Sequence, residues 1–590
     1  GAWEYFQYMI EVTMVYVIAT AGLNVAIGMA GQYQMAQGAV IAVSAYSFAY
    51  LQLDLGWSAP LAALVAIGLG FLLGAFVAAF SLRLGSHYLL LATFGIQILV
   101  IGILRELPSL TGGVSGRMAP ISLDVGSWSL AGSTPAYSTL VILIAGISLV
   151  LCAWLRRSFL GLGMEAAKHG DRLSAASGLV AGRFRYLAVL VSAAFAAMAG
   201  VLIGPIHTYL VPDSFGLEIT LLLLMMVVLG GAGSVVGVAV ATAVITVASQ
   251  AAQSVTVAWP LVFGLIVMVL LVVSIRSKEL ASFLGLPRAR IPSLHRVAGS
   301  AGAGPLAAAA PADSLVGEAS VTEANGRSLV IENLSRSFGG LIALEGVSRS
   351  IGQGSIHGLV GPNGSGKTTL LEVVSGFLRQ DNGRISLYGT EIGGMKAPRR
   401  ARLGLGRTFQ HATVLPNSSV MQNVLFGVLQ ELDLKCQLKH AAVQSLPEVL
   451  RHRVEHALQM VELSEHRDVL AGNLSYGQRK LLDLARVLAA RPTVVLMDEP
   501  LAGVDGASST SVRKAIEYLR SRQVTVIVVE HSMRFIMSTC DDVTVLHSGK
   551  VLCVGSPEAV MRDPEVIKSY LGERRDRRTR ESAAPRKFAG

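Results

Sequence analysis

Hydrophobic and polar positions divide this 590-residue chain into two regimes. Through residue 275, apolar stretches recur at the length of about 20 residues that a bilayer core requires. They fall near 5–30, 37–53, 59–83, 88–106, 138–155, 187–210, 217–232, 236–254 and 259–275, which predicts about nine membrane spans, the second and seventh being short for a span. The first is not followed by an A-x-A-like cleavage site, so it reads as a span and not as a signal peptide. From Leu329 onward the apolar runs shorten to strand length and alternate with helical stretches, the pattern of an α/β fold. Between the regimes, residues 281–327 carry a Gly-, Ala- and Pro-rich tract with neither period, the composition of a flexible linker. The expected division is a transmembrane domain over 1–280, a linker over 281–327, an α/β domain over 328–573 and a basic tail over 574–590.

Charge sharpens this division. Only 15% of the chain is charged and 52% is hydrophobic, against about 25% charged in an average soluble domain. Residues 1–275 hold 9 basic and 9 acidic residues, so the whole net charge of +10 belongs to the remainder. The basic residues Arg156, Arg157, Lys168, Arg172, Arg183 and Arg185 mark the 156–185 loop as cytoplasmic. Arg276, Lys278, Arg288 and Arg290 do the same for the segment after the last span, and the four spans between them keep the two assignments consistent. The 107–137 loop then faces outside. Within the 156–185 loop, an Ala-rich helix over Glu165–Gly170 suits docking into a groove of another domain. Glu11 and Glu218 lie in apolar segments and are either functional carboxylates or interfacial or helix-to-helix hydrogen-bonding groups. His207 reads as a packing residue. The four cysteines (Cys152, Cys436, Cys540 and Cys553) lack metal-ligand spacing and fit free thiols in a reducing compartment. In the tail, Arg574, Arg575, Arg577, Arg578, Arg580, Arg586 and Lys587 have no interleaved aromatics, so no nucleic-acid partner is expected.

The polar half carries chemistry. Gly361-Pro362-Asn363-Gly364-Ser365-Gly366-Lys367-Thr368 reads G-x-x-x-x-G-K-T, between an apolar run and a helix start. That is the phosphate-binding loop of an NTPase. Its glycines turn backbone N–H groups toward phosphates, and the helix N-terminus adds partial positive charge. Lys367 supplies a full charge, and the Thr368 hydroxyl is placed for Mg²⁺. Phe338, upstream, is either a base-stacking or a core aromatic. Gln410, closing Gly406-Arg407-Thr408-Phe409-Gln410, can reach Mg²⁺ or an attacking water. Leu474-Ser475-Tyr476-Gly477-Gln478 precedes a helix and forms either a second anion site or a helix cap. Val494–Met497 is an apolar strand that delivers Asp498 to Mg²⁺ and Glu499 to the hydrolytic water. Asp505 follows, and His531 closes the strand Val524–Val529.

In this order the set resembles an ABC-type ATPase. The resemblance implies that two such domains sandwich ATP. Gly361, Asn363, Gly364, Ser365, Gly366, Lys367, Thr368 and Thr369 then bind nucleotide with Phe338. Ser475, Gly477, Gln478 and Asp505 belong to the nucleotide contacts, Ser475 and Gly477 covering the opposite ATP. Glu499 is implied as general base, with His531 and Gln410 catalytic, and Thr368, Gln410 and Asp498 as Mg²⁺ ligands. Leu334–Leu344 and Asp563–Gly572 resemble the ATPase of branched-chain amino-acid importers. Gly31–Tyr46, Leu110–Gly116 and Met226–Ser234 resemble the permease of the same systems. Asp505-Gly506 stands where that ATPase group tends to have Asn-Pro, and Ser532 follows His531 where Asp is common. The expectation is therefore a polytopic helical permease fused to an ABC ATPase. It would import branched-chain or other small hydrophobic amino acids across the bacterial inner membrane, with ATP and Mg²⁺. A second permease–ATPase pair and a periplasmic substrate-binding protein are the implied partners. Urea, short amides and aromatic or carboxylic acids are alternative substrates, and an ABC exporter is the alternative class.

Overall fold

The computed structural model describes residues 2–253 and 327–568, apart from 83, 85, 121, 126, 127 and 133. The expected ninth span, the linker and the tail lie outside the described residues. The described residues form two compact units, one built from 2–168 and 182–253, the other from 169–181 and 327–568.

The first unit is helical. Its main elements are α1 (Ala2–Asn24), α2 (Gln37–Leu53), α3 (Ala59–Ser81), α4 (Ser86–Glu106), α5 (Pro135–Arg157), α6 (Phe159–His169), α8 (Ala181–Ile203), α9 (Leu217–Leu229) and α10 (Val235–Gln253); the short α7 (Asp171–Ala176) belongs to the second unit. Each expected span through 236–254 is built around one of these helices. Among the described residues, however, six helices are long and apolar enough to cross a membrane: Trp3–Met29, Ala59–Ser81, Tyr88–Glu106, Pro135–Arg157, Ala181–Ile206 and Pro212–Leu229. The α2 helix has 17 residues and Val235–Gln250 is a shorter apolar helix. Pro205 closes α8 earlier than expected because it cannot continue the amide ladder. The α1 helix packs against α5, α9 and α10 and is the most enclosed of the long helices.

The unit is turned inside out relative to a water-soluble fold. Leu64, Leu72 and Val150 are exposed, whereas Gln34, Gln37, Gln97, Thr20 and Thr220 are buried. This is the arrangement an apolar solvent selects, since polar groups cost least when paired inside. Glu11 is fully buried and accepts from Ser138 Oγ at 2.7 Å, a bond between α1 and α5. Glu218 is exposed in the first turn of α9. His207 meets Tyr8 edge-on.

The second unit is α/β. A six-stranded sheet has the order β5 (Leu405–Arg407), β6 (Val494–Asp498), β7 (Thr525–Val529), β3 (Ile356–Val360), β8 (Asp542–His547) and β9 (Lys550–Gly555), all parallel except the β8–β9 pair. An antiparallel sheet is formed by β2 (Leu341–Gly352), β1 (Arg327–Phe338) and β4 (Asn382–Leu387) with the short Thr390–Glu391. β3, β6 and β7 are buried along their whole length, as central parallel strands covered on both faces must be. Leu359, Leu371, Val374, Leu496 and Ile527 join the core beneath the phosphate loop. In register, Asp498 faces Val529 and Val529 faces Leu359, so three strand ends come to one edge.

Candidate functional site

That edge is where the expected chemistry gathers. From β3 the chain passes through Gly361 to Gly366 and enters α11 (Lys367–Val374). Gly364 and Gly366 have φ of +80° and +102°, backbone that a side chain would strain. At Gly366 a Cβ would also press on Ala343 O at 2.6 Å. Lys367 Nζ folds back onto its own loop, donating to Gly361 O at 2.8 Å and Pro362 O at 2.7 Å. Asn363, Gly364 and Thr368 are exposed around it, Ser365 is buried and Thr369 half-buried.

β6 ends in Asp498, and Glu499 follows with φ of +48°. A non-glycine residue held there stores about 1–3 kcal/mol, which the surroundings must offset. They do so through Glu499 N–H, which donates to Val529 O at 2.9 Å, and Glu499 O, which accepts from Lys480 Nζ at 2.5 Å. The carboxylate is gripped at both oxygens. Gln410 Nε2 donates to Oε2 at 3.1 Å, and His531 Nε2 lies 3.1 Å from Oε1. Two residues 121 positions apart in sequence thus meet on one carboxylate.

Asp498 is nearly fully buried. Burial pushes its carboxyl pKa up, Arg407 opposes this, and the neighbouring Glu499 adds to the rise. Arg407 Nη2 stands 3.9 Å from Asp498 Oδ2, while its Nη1 donates to Ser375 Oγ at 2.5 Å. The guanidinium is flanked by Phe377 and Phe409, 5.4 and 5.3 Å from the ring centroids. Asp498 Oδ1 is buried with no hydrogen-bond partner among the described residues. An orphaned carboxylate oxygen of this kind fits a hard divalent cation, which takes oxygen ligands.

The remaining expected residues are placed as follows. Phe338 is exposed, with the Arg336 guanidinium 4.8 Å above its ring. Ser475 caps α14 (Tyr476–Ala489), accepting from Gln478 N–H at 3.2 Å while Gln478 Oε1 accepts from Ser475 N–H at 3.0 Å. This is a reciprocal capping box. Gly477 lies inside the first turn, where a Cβ would come 3.0 Å from Ser508 Oγ. Asp505 caps α15 (Gly506–Ser521) by accepting from Ser508 N–H at 2.8 Å, and that bond holds its carboxyl below the usual range.

Sequence reading singled out neither Arg407 nor Lys480. Arg407 sits inside the quoted Gly406–Gln410 run, but its proximity to Asp498 spans 91 positions and has no local signal. Lys480 reads as an ordinary helix lysine; burial lowers its pKa, and the surrounding carboxylates Glu530, Glu499, Asp483 and Asp498 oppose that shift.

Residues 169–181 belong to this unit. The α7 helix, preceded by Gly170, presents Arg172 to Glu372 of α11 at 3.2 Å. Arg402 Nε donates to Gly178 O at 2.9 Å. Ala176 and Ser177 line a small recess with Ala401, Gly404, Gly406 and Pro492.

A phosphate loop at a helix start and an Asp-Glu strand end, accompanied by apolar helices of membrane length, define an ATP-driven membrane transporter. Comparison with known proteins agrees. Residues 5–275 match the branched-chain amino acid transport system permease component, residues 344–502 match the ABC transporter ATPase, and residues 550–576 match the branched-chain amino acid ATP-binding cassette transporter. The chain is similar to the high-affinity branched-chain amino acid transport ATP-binding protein BraF of Pseudomonas aeruginosa, with 35% identity over 42% of this chain and 98% of BraF. It is also similar to LivG of Salmonella typhimurium (33%, 42% and 98%) and to the lipopolysaccharide export ATP-binding protein LptB of Haemophilus influenzae (34%, 42% and 97%). Among solved structures, a nucleotide-free ATP-binding cassette from an ABC transporter shares 30% identity over 41% of this chain and 98% of its own, at a TM-score of 0.38. The chain belongs to the branched-chain amino acid ABC transporter family, with permease and ATPase in one polypeptide. It is a membrane protein with an ATP-hydrolysing domain.

Proposed function

We propose that this chain is one fused half of an importer for branched-chain or other small hydrophobic amino acids in the bacterial inner membrane. The observation that carries the reading is the convergence of Gln410, His531 and Lys480 on Glu499, in a chain that also carries the permease. Lys367, the Gly361–Gly366 amides, Thr368 and Thr369 bind the ATP phosphates, and Phe338 stacks on the base. Lys367 leaves its loop carbonyls for the phosphates when nucleotide enters. Glu499 takes a proton from the attacking water, with His531 and Gln410 orienting the carboxylate. Asp498, Thr368 and Gln410 would hold Mg²⁺, which would neutralise charge on the phosphates. The capped start of α14, with Ser475, Gly477 and Gln478, serves the ATP of a second ATPase domain. Asp505 lies beside that face as a helix cap.

The permease spans 1–280 and the ATPase 328–573, joined by a linker over 281–327, with a basic tail over 574–590. Closure of two ATPase domains pulls on the 169–181 segment through Arg172 and Arg402. The second pair is another copy of this chain or a separate permease–ATPase pair. A periplasmic binding protein delivers substrate. Similarity to LptB raises export as the other direction; the permease match favours import.

The test is transport in proteoliposomes holding the full chain with its partner subunits. Uptake of leucine, isoleucine or valine that requires ATP and a binding protein, and that is lost in Glu499→Gln, is the expected result. ATP-driven extrusion, or uptake persisting in Glu499→Gln, contradicts it.

A further inference from the structure

The membrane unit contains a second interrupted element that plays no part in ATP hydrolysis. The α1 helix runs into a π-helical turn, Val25–Met29, and the chain then unwinds until α2 begins at Gln37. After the turn the amides double back, Gly31 N–H to Ile27 O at 3.1 Å and Gln32 N–H to Ala26 O at 2.8 Å. A second break, Gly230–Ser234, separates α9 from α10. The two breaks touch. Asn24 Oδ1 accepts from Gly233 N–H at 2.7 Å, and Asn24 Nδ2 donates to Ser234 O at 3.4 Å. A Cβ on Gly28 would overlap the Gly233 backbone, so the chains meet backbone to backbone.

A charged side chain reaches this junction. Lys168 Nζ donates to Gly28 O at 2.9 Å, and its stem lies over Gly31, where an added Cβ would stand 2.9 Å from Lys168 Cγ. Lys168 lies near the end of α6, whose Ala167 carbonyl accepts from Arg185 at 3.2 Å. It is also the last residue of the membrane unit before His169–Ala181, which belongs with the ATPase. Gly170, with φ of +132° and open space around it, follows at once.

We propose that Lys168 is a positioning residue for transport: it latches the paired breaks at Val25–Met29 and Gly230–Ser234, and movement of the adjoining 169–181 segment releases that latch. The physical reason is local. A π turn leaves carbonyls without the usual i+4 donor, and such turns and broken membrane helices survive only where another group satisfies them. Here that group is an ammonium whose backbone is continuous with the segment the ATPase holds. Withdrawing it exposes Gly28 O and uncovers Gly31, so the junction shifts between two discrete arrangements and does not deform gradually. The inference rests on the transporter reading above and is independent of transport direction.

The experiment uses the full chain in lipid nanodiscs, where both membrane faces are accessible. Ala30→Cys places a thiol in the buried break, in a Cys553→Ser background, because Cys152, Cys436 and Cys540 are already buried. The same chain without Ala30→Cys sets the baseline for a membrane-impermeant maleimide. Lys168→Met keeps the stem and removes the donor. It is expected to raise labelling severalfold without nucleotide and to retain ATP hydrolysis. Lys168→Arg, which keeps a donor, is expected to label like Lys168. Gly31→Ala, which displaces the stem, is expected to label like Lys168→Met and stands in should Lys168→Met fail to accumulate. Labelling in Lys168→Met or Gly31→Ala equal to that of the Lys168 chain overturns the latch. Failure of the importer reading shows instead as outward transport, with the labelling difference intact.

Discussion

Two interrupted elements in this chain are handled in opposite ways. In the membrane unit, the backbone around the break at 25–37 is satisfied by the protein itself. Thr93 Oγ1 accepts from Met35 N–H at 2.8 Å, Thr220 Oγ1 from Gly38 N–H at 3.2 Å and Gln97 Oε1 from Ala39 N–H at 2.6 Å. Gln97 Nε2 also donates to Phe215 O at 2.7 Å, and Gln34 Nε2 to Ser192 Oγ at 2.9 Å. In the ATPase unit, the loop at 361–366 is exposed at Asn363 and Gly364, and Lys367 folds back on its own loop, onto the carbonyls of Gly361 and Pro362. The difference follows from the solvent. Hydrocarbon offers no hydrogen bonds, so a break there must be closed internally. Water tolerates an open cradle, which can then be kept for phosphate.

The largest effect belongs to the open site. Glu499→Gln should lower ATP turnover by about 10²–10³-fold, as loss of a general base does, while a fluorescent ATP analogue still binds; unchanged turnover in an ATPase assay would place the base elsewhere. The closed break should answer in stability and not in turnover. Gln97→Leu strands the Ala39 amide and the Phe215 carbonyl, a cost of about 2–4 kcal/mol at roughly 1–2 for each buried orphan. It should show as a lower thermal midpoint in detergent, and an unshifted midpoint would mean that water reaches the break.

The next effect is electrostatic. Burial raises the Asp498 carboxyl above the ordinary range and Arg407 restrains the rise. Protonated Asp498 cannot ligate a cation, so acidification should weaken Mg²⁺ activation starting above the usual carboxylate range, and rising pH should restore it. Arg407→Met removes the restraining charge and should move that transition to higher pH. Titrating Mg²⁺ activation of ATPase at several pH values checks both, and a profile unmoved by Arg407→Met would discount the pair. The smallest effect is expected at Thr20, whose Oγ1 lies 2.9 Å from Thr242 Oγ1 while also bonding to Tyr16 O. Thr20→Val should cost only about 0.6 kcal/mol, typical of one hydrogen bond between membrane helices; a large drop in thermal midpoint would show that the α1–α10 contact does more than pack.

The sequence alone determined the two regimes, the helices that make the membrane unit and the strand-loop-helix of the phosphate site. Each depends on neighbours in the chain: hydrophobic period, glycine at φ that other residues resist, and a cap three residues from its partner, as in Ser475 and Gln478. The strand-end positions of Glu499 and His531 were legible because each follows an apolar run. Tertiary structure decided the rest. It made six helices, among the described residues, long and apolar enough to span, where the apolar pattern places eight expected spans, and it left α2 as a short buried helix. It brought Arg407 beside Asp498 and Lys480 under Glu499, and it set Lys168 against Gly28, 140 positions away. These pairs carry no local signal because a charge finds its partner only after strands and helices have packed. Chain order then gives way to the need to pair every buried polar group.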